Sequence, residues 1–218
     1  MRNAFVILIG VTLAGCAYKA DPIAAPSYNV VTSFSSKVPG KWLLAVDATA
    51  LNQTIKPSGM ACSAHNFPLE LSDAFKTSVA QTLKNVFEQV EDIPTPIPGD
   101  QAQRRGAQGV IVIRGEEVRG RLDVQPGFWQ ANMKTEVVIV ASTYVDGPLG
   151  RIFGTTVEGH GIADAEAGLM CDGGAKSLVH ASSIAMRDAV RKLAEATGNS
   201  ERLRAVENTR KKMKSPNN

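Results

Sequence analysis

Three segments rich in Val, Ile and Thr, joined by two tight turns, restrict the fold of this sequence more than any other feature. They run from Gly109 to Val124, from Met133 to Val145 and from Arg151 to Ile162. β-Branched residues at this density favour strands, and Pro126-Gly127 and Asp146-Gly147-Pro148 are turn sequences. Strands that follow each other through tight turns usually pair as neighbours. The sequence therefore predicts a three-stranded antiparallel meander.

Two amphipathic helices flank the meander. Ser72-Asp73 provides a helix start, and apolar residues then recur at helical spacing over Phe75–Val90. The second helix covers Ala175–Thr197 with a stripe of small and apolar residues, and Gly198 ends it. Each helix therefore has one face that packs on a sheet.

Shorter elements complete the predicted domain. They are a strand at Lys41–Asp47, a short strand around Val90–Ile93 and a helical turn at Gln101–Gly106. The connection Thr49–Leu71 is long enough to need a fastening. The predicted fold class is α+β, a mostly antiparallel sheet of four to five strands with two main helices packed on one face. Following strand directions along the chain places the starts of both helices at the same end.

The N-terminal residues have the pattern of a secretion signal. Arg2 supplies a positive charge and precedes the mostly apolar run Ala4–Gly15. This run is shorter than the roughly 20 residues that a membrane span needs. Leu13-Ala14-Gly15-Cys16 matches the lipobox of bacterial lipoproteins. The resemblance implies cleavage before Cys16.

The same resemblance implies a lipid anchor on Cys16. The sulfur would carry a diacylglyceryl group and the new N-terminus a third acyl chain such as palmitate. Two acyl chains already hold a protein stably on a membrane, so three make the anchor effectively permanent. Ala17, rather than the Asp that marks inner-membrane retention in enteric-type bacteria, follows the cysteine. The resemblance therefore favours an outer-membrane protein that faces the periplasm.

Four regions follow from these patterns. We predict a signal peptide at 1–15, a lipidated N-terminus and flexible tether at 16–40, a single periplasmic domain at 41–198 and a basic tail at 199–218. Prolines and polar residues indicate the tether, and six Lys or Arg against two Glu indicate the tail. Cleavage removes Arg2 and no acid, so the formal charge falls from +3 to +2. That charge does not favour nucleic-acid binding.

The two remaining cysteines predict a disulfide. Cys62 precedes the first main helix and Cys171 the second, and thiols in an oxidising compartment usually pair. Two separate buried thiols are the alternative. No metal site is expected, because Cys62-x-x-His65 offers two ligands and His160 and His180 lack partners at a telling spacing. No cofactor is expected beyond the covalent lipid.

No catalytic motif is present in the sequence. It contains no Gly-x-Ser-x-Gly elbow, no phosphate-binding glycine loop and no His-Glu-x-x-His. Ser58, Ser63 and His65 are near each other in sequence, but no orienting group is marked out. We therefore expect a protein that is not an enzyme and has no catalytic residues.

Two features favour binding to partners. Phe128-Trp129 follows a turn at the tip of the first hairpin, where exposed aromatic residues anchor partners or membrane interfaces. The alternative is that the pair folds back over the sheet edge. Val137–Ala141 is apolar on both alternating faces, although the helices cover only one. A further layer is therefore expected from the tether, a second copy or another protein.

The segment Arg105–Gly115 and the pattern around Ala181–Ala194 resemble two known envelope proteins. These are the curli-export lipoprotein and the N-terminal domain of the periplasmic Tol translocation protein, and the resemblance covers roughly residues 41–197. Proteins of such groups mostly serve as accessory or assembly parts of secretion, lipid-export and flagellar machines. The resemblance implies no functional residues.

The expected function is that of a lipid-anchored envelope accessory protein. It would act through contacts with an envelope protein or a second copy, as part of a transport, secretion or assembly machine. The alternative is a periplasmic lipoprotein that binds an amphiphilic small ligand between sheet and helices. Small residues would leave room for that ligand at Gly115, Gly120, Gly154 and Gly159.

Overall fold

The computed structural model describes residues 23–59, 62–127, 131–168 and 171–206. The strands are β1 (Val38–Asp47), β2 (Asn52–Ile55), β3 (Phe67–Glu70), β4 (Phe87–Asp92), β5 (Val110–Gln125), β6 (Asn132–Gly147) and β7 (Gly150–Glu166). The α-helices are α1 (Ser72–Val86), α2 (Gly99–Arg104) and α3 (Gly173–Gly198). A 3₁₀ turn at Thr49–Leu51 follows β1.

One five-stranded sheet organises the domain, in the order β4-β1-β5-β6-β7. β1 pairs in parallel with β4 and β5, whereas β5, β6 and β7 form the predicted antiparallel meander. A separate two-stranded sheet joins β2 and β3. The predicted α+β class is confirmed. The predicted positions of the helix starts also agree with the structure. β4 and β7 run in the same direction, and α1 and α3 both run back along the sheet in the opposite direction. Both helices therefore start at the same end of the domain.

The main core lies between the sheet and the two long helices. Its largest fully buried side chains include Trp42, Phe67, Phe75, Phe87 and Ile111. α2 covers the opposite face at one end, where Ala102 packs with Leu43 and Val112. No helix within the described ranges combines the length and apolarity that crossing a bilayer requires.

Residues 23–37 lie against the helices, which differs from the predicted tether of 16–40. Tyr28 is buried, and its backbone N–H donates to Thr82 Oγ1 at 3.1 Å. The N–H of Ser33 donates to Asn199 Oδ1 at 2.6 Å, beyond the end of α3. Burial of an aromatic ring and satisfied backbone donors hold this part of the N-terminal segment on the domain.

The predicted basic tail also begins later than Asn199. Residues 201–206 are helical, and Leu203 is buried. The Arg204 guanidinium donates to the Gly198 carbonyl oxygen and to the Ser36 carbonyl oxygen. It also lies 4.0 Å from the centre of the Phe34 ring, in cation–π geometry. These contacts join the two ends of the described chain.

The second face of β6 carries two half-buried valines, Val138 and Val140. Arg119 of β5 and Glu158 of β7 flank them and form an ion pair across β6 at 3.0 Å. Long charged side chains therefore shield much of this apolar surface. The described part of the tether does not supply the expected further layer, because residues 23–37 pack on the helices. A layer from a second copy or another protein stays a prediction.

Candidate functional site

Three of the predicted site residues lie outside the described residues. They are Cys16, Phe128 and Trp129. The structure does describe the two strands that lead to the aromatic pair, β5 and β6, which separate at Gln125 and Asn132. The lipid anchor and the aromatic tip therefore stay predictions.

The structure joins Cys62 to Cys171 in the disulfide that the sequence predicts, with 6.0 Å between the Cα atoms. The bond connects the loop between β2 and β3 to the start of α3. Both cysteines adopt left-handed backbone, with φ of 60° and 63°, a region that non-glycine residues rarely occupy. The backbone N–H of His65 donates to the Cys62 carbonyl oxygen and that of Gly174 to the Cys171 carbonyl oxygen. The disulfide therefore links two tight turns.

The predicted ligand room at the glycines is filled by packing. A Cβ built on Gly115 would lie 2.5 Å from Leu51, and one on Gly120 would lie 2.7 Å from Ile55. On Gly159 it would lie 2.2 Å from the Ala185 carbonyl oxygen, because α3 packs directly on β7. These three glycines permit close approach of other elements. The expectation that they leave a ligand pocket between sheet and helices is wrong.

An apolar cavity of about 410 Å³ lies instead at the end of the sheet that carries the turn between β6 and β7. Its lining includes Ala107, Pro148, Leu149, Ile152 and Val206. Leu149 is 93% exposed, more than any other large apolar side chain in the described part of the chain. The cavity and this side chain together form what we call the turn recess.

Local interactions fix the shape of the turn recess. Arg151 Nε donates to Asp146 Oδ1 at 2.8 Å, so an ion pair closes the two ends of the turn. The hydrogen bond that Arg151 donates to Asp146 raises the pKa of its guanidinium above the ordinary value. The guanidinium also lies 3.9 Å from the centre of the Tyr144 ring. Gly150 has φ of +118°, which a residue with a Cβ would rarely adopt. The turn therefore holds Leu149 outward.

β7 forms one edge of the main sheet, and two hydrogen bonds show which of its backbone groups face outward. The N–H of His160 donates to Asp188 Oδ2 at 3.2 Å, and Lys192 Nζ donates to the Glu158 carbonyl oxygen at 2.7 Å. Both acceptor and donor side chains belong to α3. Because backbone direction alternates along an antiparallel strand, every second residue of β7 directs its N–H and C=O away from β6.

Asp188 and Lys192 thus form a clamp over the middle of the β7 edge. Asp188 also pairs with Lys192 at 2.7 Å and with Arg191 at 2.9 Å. Burial raises the pKa of the Asp188 carboxyl, but hydrogen bonds from Lys192, the His160 N–H and Arg191 outweigh it and leave the pKa below its ordinary value. The carboxylate is therefore the form that the clamp stabilises.

Few side chains among the described residues are arranged for catalysis or metal binding. His160 Nε2 lies 3.6 Å from Glu158 Oε2 on the open face of the sheet, and more than half of the imidazole side chain is exposed. Within the described ranges no three His, Cys, Asp or Glu side chains converge as metal ligands. Contact surfaces, namely the turn recess and the β7 edge, are the distinctive features. The sequence analysis missed both of them.

Neither a protein-family model nor a curated protein matches the chain. Among solved structures, a Xanthomonas campestris protein of the family DUF330 gives a TM-score of 0.48 at 9% identity, covering 92% of this chain and 100% of that one. A neuraminyllactose-binding hemagglutinin homologue from Helicobacter pylori gives a TM-score of 0.48 at 9% identity, covering 88% and 100%. A minor lipoprotein from Acinetobacter baumannii gives 0.32 at 12% identity, covering 77% and 92%. At this distance no residue role carries over to this chain.

Proposed function

We propose that the chain is a lipid-anchored protein of the bacterial envelope that acts by contacting other proteins, without catalysing a reaction. It would serve as an accessory part of a transport, secretion or assembly machine, on the outer membrane and facing the periplasm. The observation that carries the contact function is the exposure of Leu149 beside an apolar cavity.

The anchor is supported by the sequence of the first residues. A charge at Arg2, a short apolar run and Leu13-Ala14-Gly15-Cys16 together match the pattern of a lipoprotein signal. The bond between Cys62 and Cys171 suits the same destination, because disulfides persist in oxidising compartments such as the periplasm.

The turn recess has the chemistry of a protein-contact site. An exposed leucine on a braced turn keeps its apolar surface in water, and a partner that covers it gains roughly 25 cal/mol per Å² of apolar area. The neighbouring cavity accepts a side chain from that partner, as binding hot spots do. Bracing by Asp146 and Arg151 means that little conformational freedom is lost on binding.

Capture of partners from crosslinked envelopes tests this function. We expect wild type to retain a defined partner and Leu149→Ser to lose most of it, with an unchanged melting temperature because the side chain is exposed. Val31→Ser is the matched control, since Val31 is an apolar residue with 77% exposure outside the turn recess. Undiminished capture by Leu149→Ser would remove the turn recess from the function.

The aromatic pair at the other hairpin belongs in the same experiment. The double change of Phe128 and Trp129 to Ala should leave stability nearly unchanged and reduce capture, if these residues anchor a partner. A cost of several kcal/mol in stability would instead indicate that the rings fold back onto the sheet.

Binding of an amphiphilic small ligand is a second candidate function, because a cavity of about 410 Å³ with apolar lining lies in the size range of small-molecule sites. Gln108 and Arg151 supply polar groups at this cavity. Saturable binding of a fluorescent fatty acid, lost in Ile152→Trp because the indole fills the cavity, would favour this candidate over protein contact.

A further inference from the structure

The first half of the β7 edge lacks the protection that the clamp gives to its middle. Gly154 and Thr156 have the same backbone direction as Glu158 and His160, so their N–H and C=O groups point away from β6. No residue of the described chain hydrogen-bonds to these outward groups. The clamp of Asp188 and Lys192 begins only at Glu158.

The sequence of this half adds nothing that blocks pairing. Ile152–Val157 contains no charge and no proline and consists largely of β-branched and aromatic residues. Natural edge strands usually carry charges, prolines or a covering element that prevents pairing with another chain. A Cβ built on Gly154 would meet only atoms of its own hairpin, none closer than 3.8 Å. Gly154 is exposed, and its outward N–H and C=O have no partner in the described chain, so the edge is open there.

We propose that this open half of β7 pairs antiparallel with the same segment of a second copy, about a two-fold axis through Gly154. The two Gly154 residues would then exchange N–H···O=C bonds, as residues opposite each other in a hydrogen-bonded pair do. In this register Phe153 faces Thr155 of the second copy, and Glu158 faces Gly150. No like charges meet, and the five-stranded sheets continue across the two copies.

The clamp limits how far the pairing extends along β7. Pairing about Gly154 ends at Glu158, where Lys192 already occupies the carbonyl oxygen. A register shifted further along β7 would displace Lys192 and Asp188 from the edge. A two-fold contact of this kind is isologous, the commonest type in protein oligomers.

The inference rests on the proposed function in one respect, because the lipid anchor keeps copies on a single membrane surface. Confinement raises their effective concentration, so a short pairing suffices where it would be weak in free solution. The second copy is thus one partner of this contact protein, and it uses a site separate from Leu149.

Oxidative crosslinking of the full-length protein in envelopes tests the register. Gly154→Cys should give a disulfide-linked dimer on a non-reducing gel, because opposite residues in a hydrogen-bonded pair have Cα atoms about 5.5 Å apart, within disulfide range. Thr156→Cys is the matched control. Its residue would face Ile152 of the second copy, so it should give little or no dimer.

A further change separates pairing from chance collision. Thr156→Pro, added to Gly154→Cys, removes an outward N–H and leaves the bonds to β6 intact, as edge prolines do. Loss of the crosslink with an unchanged melting temperature supports the proposal. Equal crosslinking of both single-cysteine variants, absence of dimer, or an adduct with a different protein overturns it. Leu149-dependent capture that persists in the absence of dimer would show that only the self-pairing has failed.

Discussion

Asp188 connects the charge network of α3 to the backbone of β7. Its carboxylate accepts hydrogen bonds from Lys192, from Arg191 and from the His160 N–H. Arg191 pairs in turn with Glu195 at 3.1 Å. Such networks contribute more than isolated surface pairs, because each charge is held by several partners. The carboxylate therefore stabilises the contact between helix and strand.

Protonation of Asp188 should weaken this contact. Its pKa is lowered in the folded protein from an ordinary value of 3.8, so its contribution is present above that value and is lost as the pH falls through the folded pKa. We expect Asp188→Asn to cost about 1 kcal/mol at pH 7 and less at pH 2, in proportion to the fraction of Asp188 that is protonated in the folded protein. Urea unfolding of both proteins at the two pH values measures the difference. An equal cost at both would contradict the charge-based role.

At the scale of elements, the sequence predicts the long strands and helices well. The meander segments match β5, β6 and β7 closely, because β-branched runs and turn residues are local signals. The helix predicted over Ala175–Thr197 likewise corresponds to α3. The order of the strands in the sheet is harder to predict from the sequence. The parallel pairing of β1 with both β4 and β5 depends on contacts far apart in sequence.

The hairpin of β2 and β3 shows why other elements escape prediction. Its first strand, Asn52–Ile55, is short and mostly exposed, so it carries little apolar periodicity. Long-range contacts define it instead. Ile55 packs at Gly120, and Asn52 Oδ1 accepts the N–H groups of Leu71 and Ser72. The sequence predicts that Ser72 provides the cap at the start of α1. In the structure the cap is instead Asn52, about twenty positions upstream.

The disulfide should stabilise this hairpin and its link to α3. It spans a sequence separation of 109 residues. The chain-entropy value for a loop near 100 residues is about 4.7 kcal/mol, and native bridges typically contribute about 2–4 kcal/mol. We expect the double change of Cys62 and Cys171 to Ala to lower stability by that amount. Hydrogen exchange should rise most at β2 and β3.

Wild-type protein under reducing conditions is the matched control for the double variant. It should melt at nearly the same temperature as that variant, because both lack the same bond. An oxidised wild type that melts no higher than either would mean that the bond does not stabilise the fold.

At the scale of the whole molecule, the turn recess lies at the end of the meander opposite to the one where β5 ends and β6 begins. The predicted aromatic pair follows β5 in the sequence and lies outside the described residues. The sequence places Phe128-Trp129 at a tip, but it predicts Asp146-Gly147-Pro148 only as a turn and does not single out Leu149. Exposure of Leu149 and the open edge at Gly154 depend on which elements cover them. Tertiary packing determines which elements cover these two sites, and no local sequence pattern predicts this packing.

The N-terminal end of the described chain restricts how far the domain can lie from Cys16. Residues from Ile23 onward pack on the domain, and seven residue steps separate Ile23 from Cys16. A chain of that length spans at most roughly 25 Å whatever its conformation. If Cys16 carries lipid, the domain therefore remains close to the membrane surface, where neighbouring copies and envelope partners are within reach.

Changing Cys16 to Ala should abolish that anchoring, because the lipid would be carried on this sulfur. We expect the variant to accumulate as an unlipidated precursor of higher mass than the mature protein. Wild type treated with globomycin, which inhibits signal cleavage, should accumulate the diacylated precursor. Cys62→Ala is the matched control, since it removes a cysteine outside the signal and should leave lipidation and membrane association intact. Unchanged gel mobility and membrane extraction in both the Cys16 variant and the treated wild type would remove the anchor, leaving protein contact to be explained without a membrane.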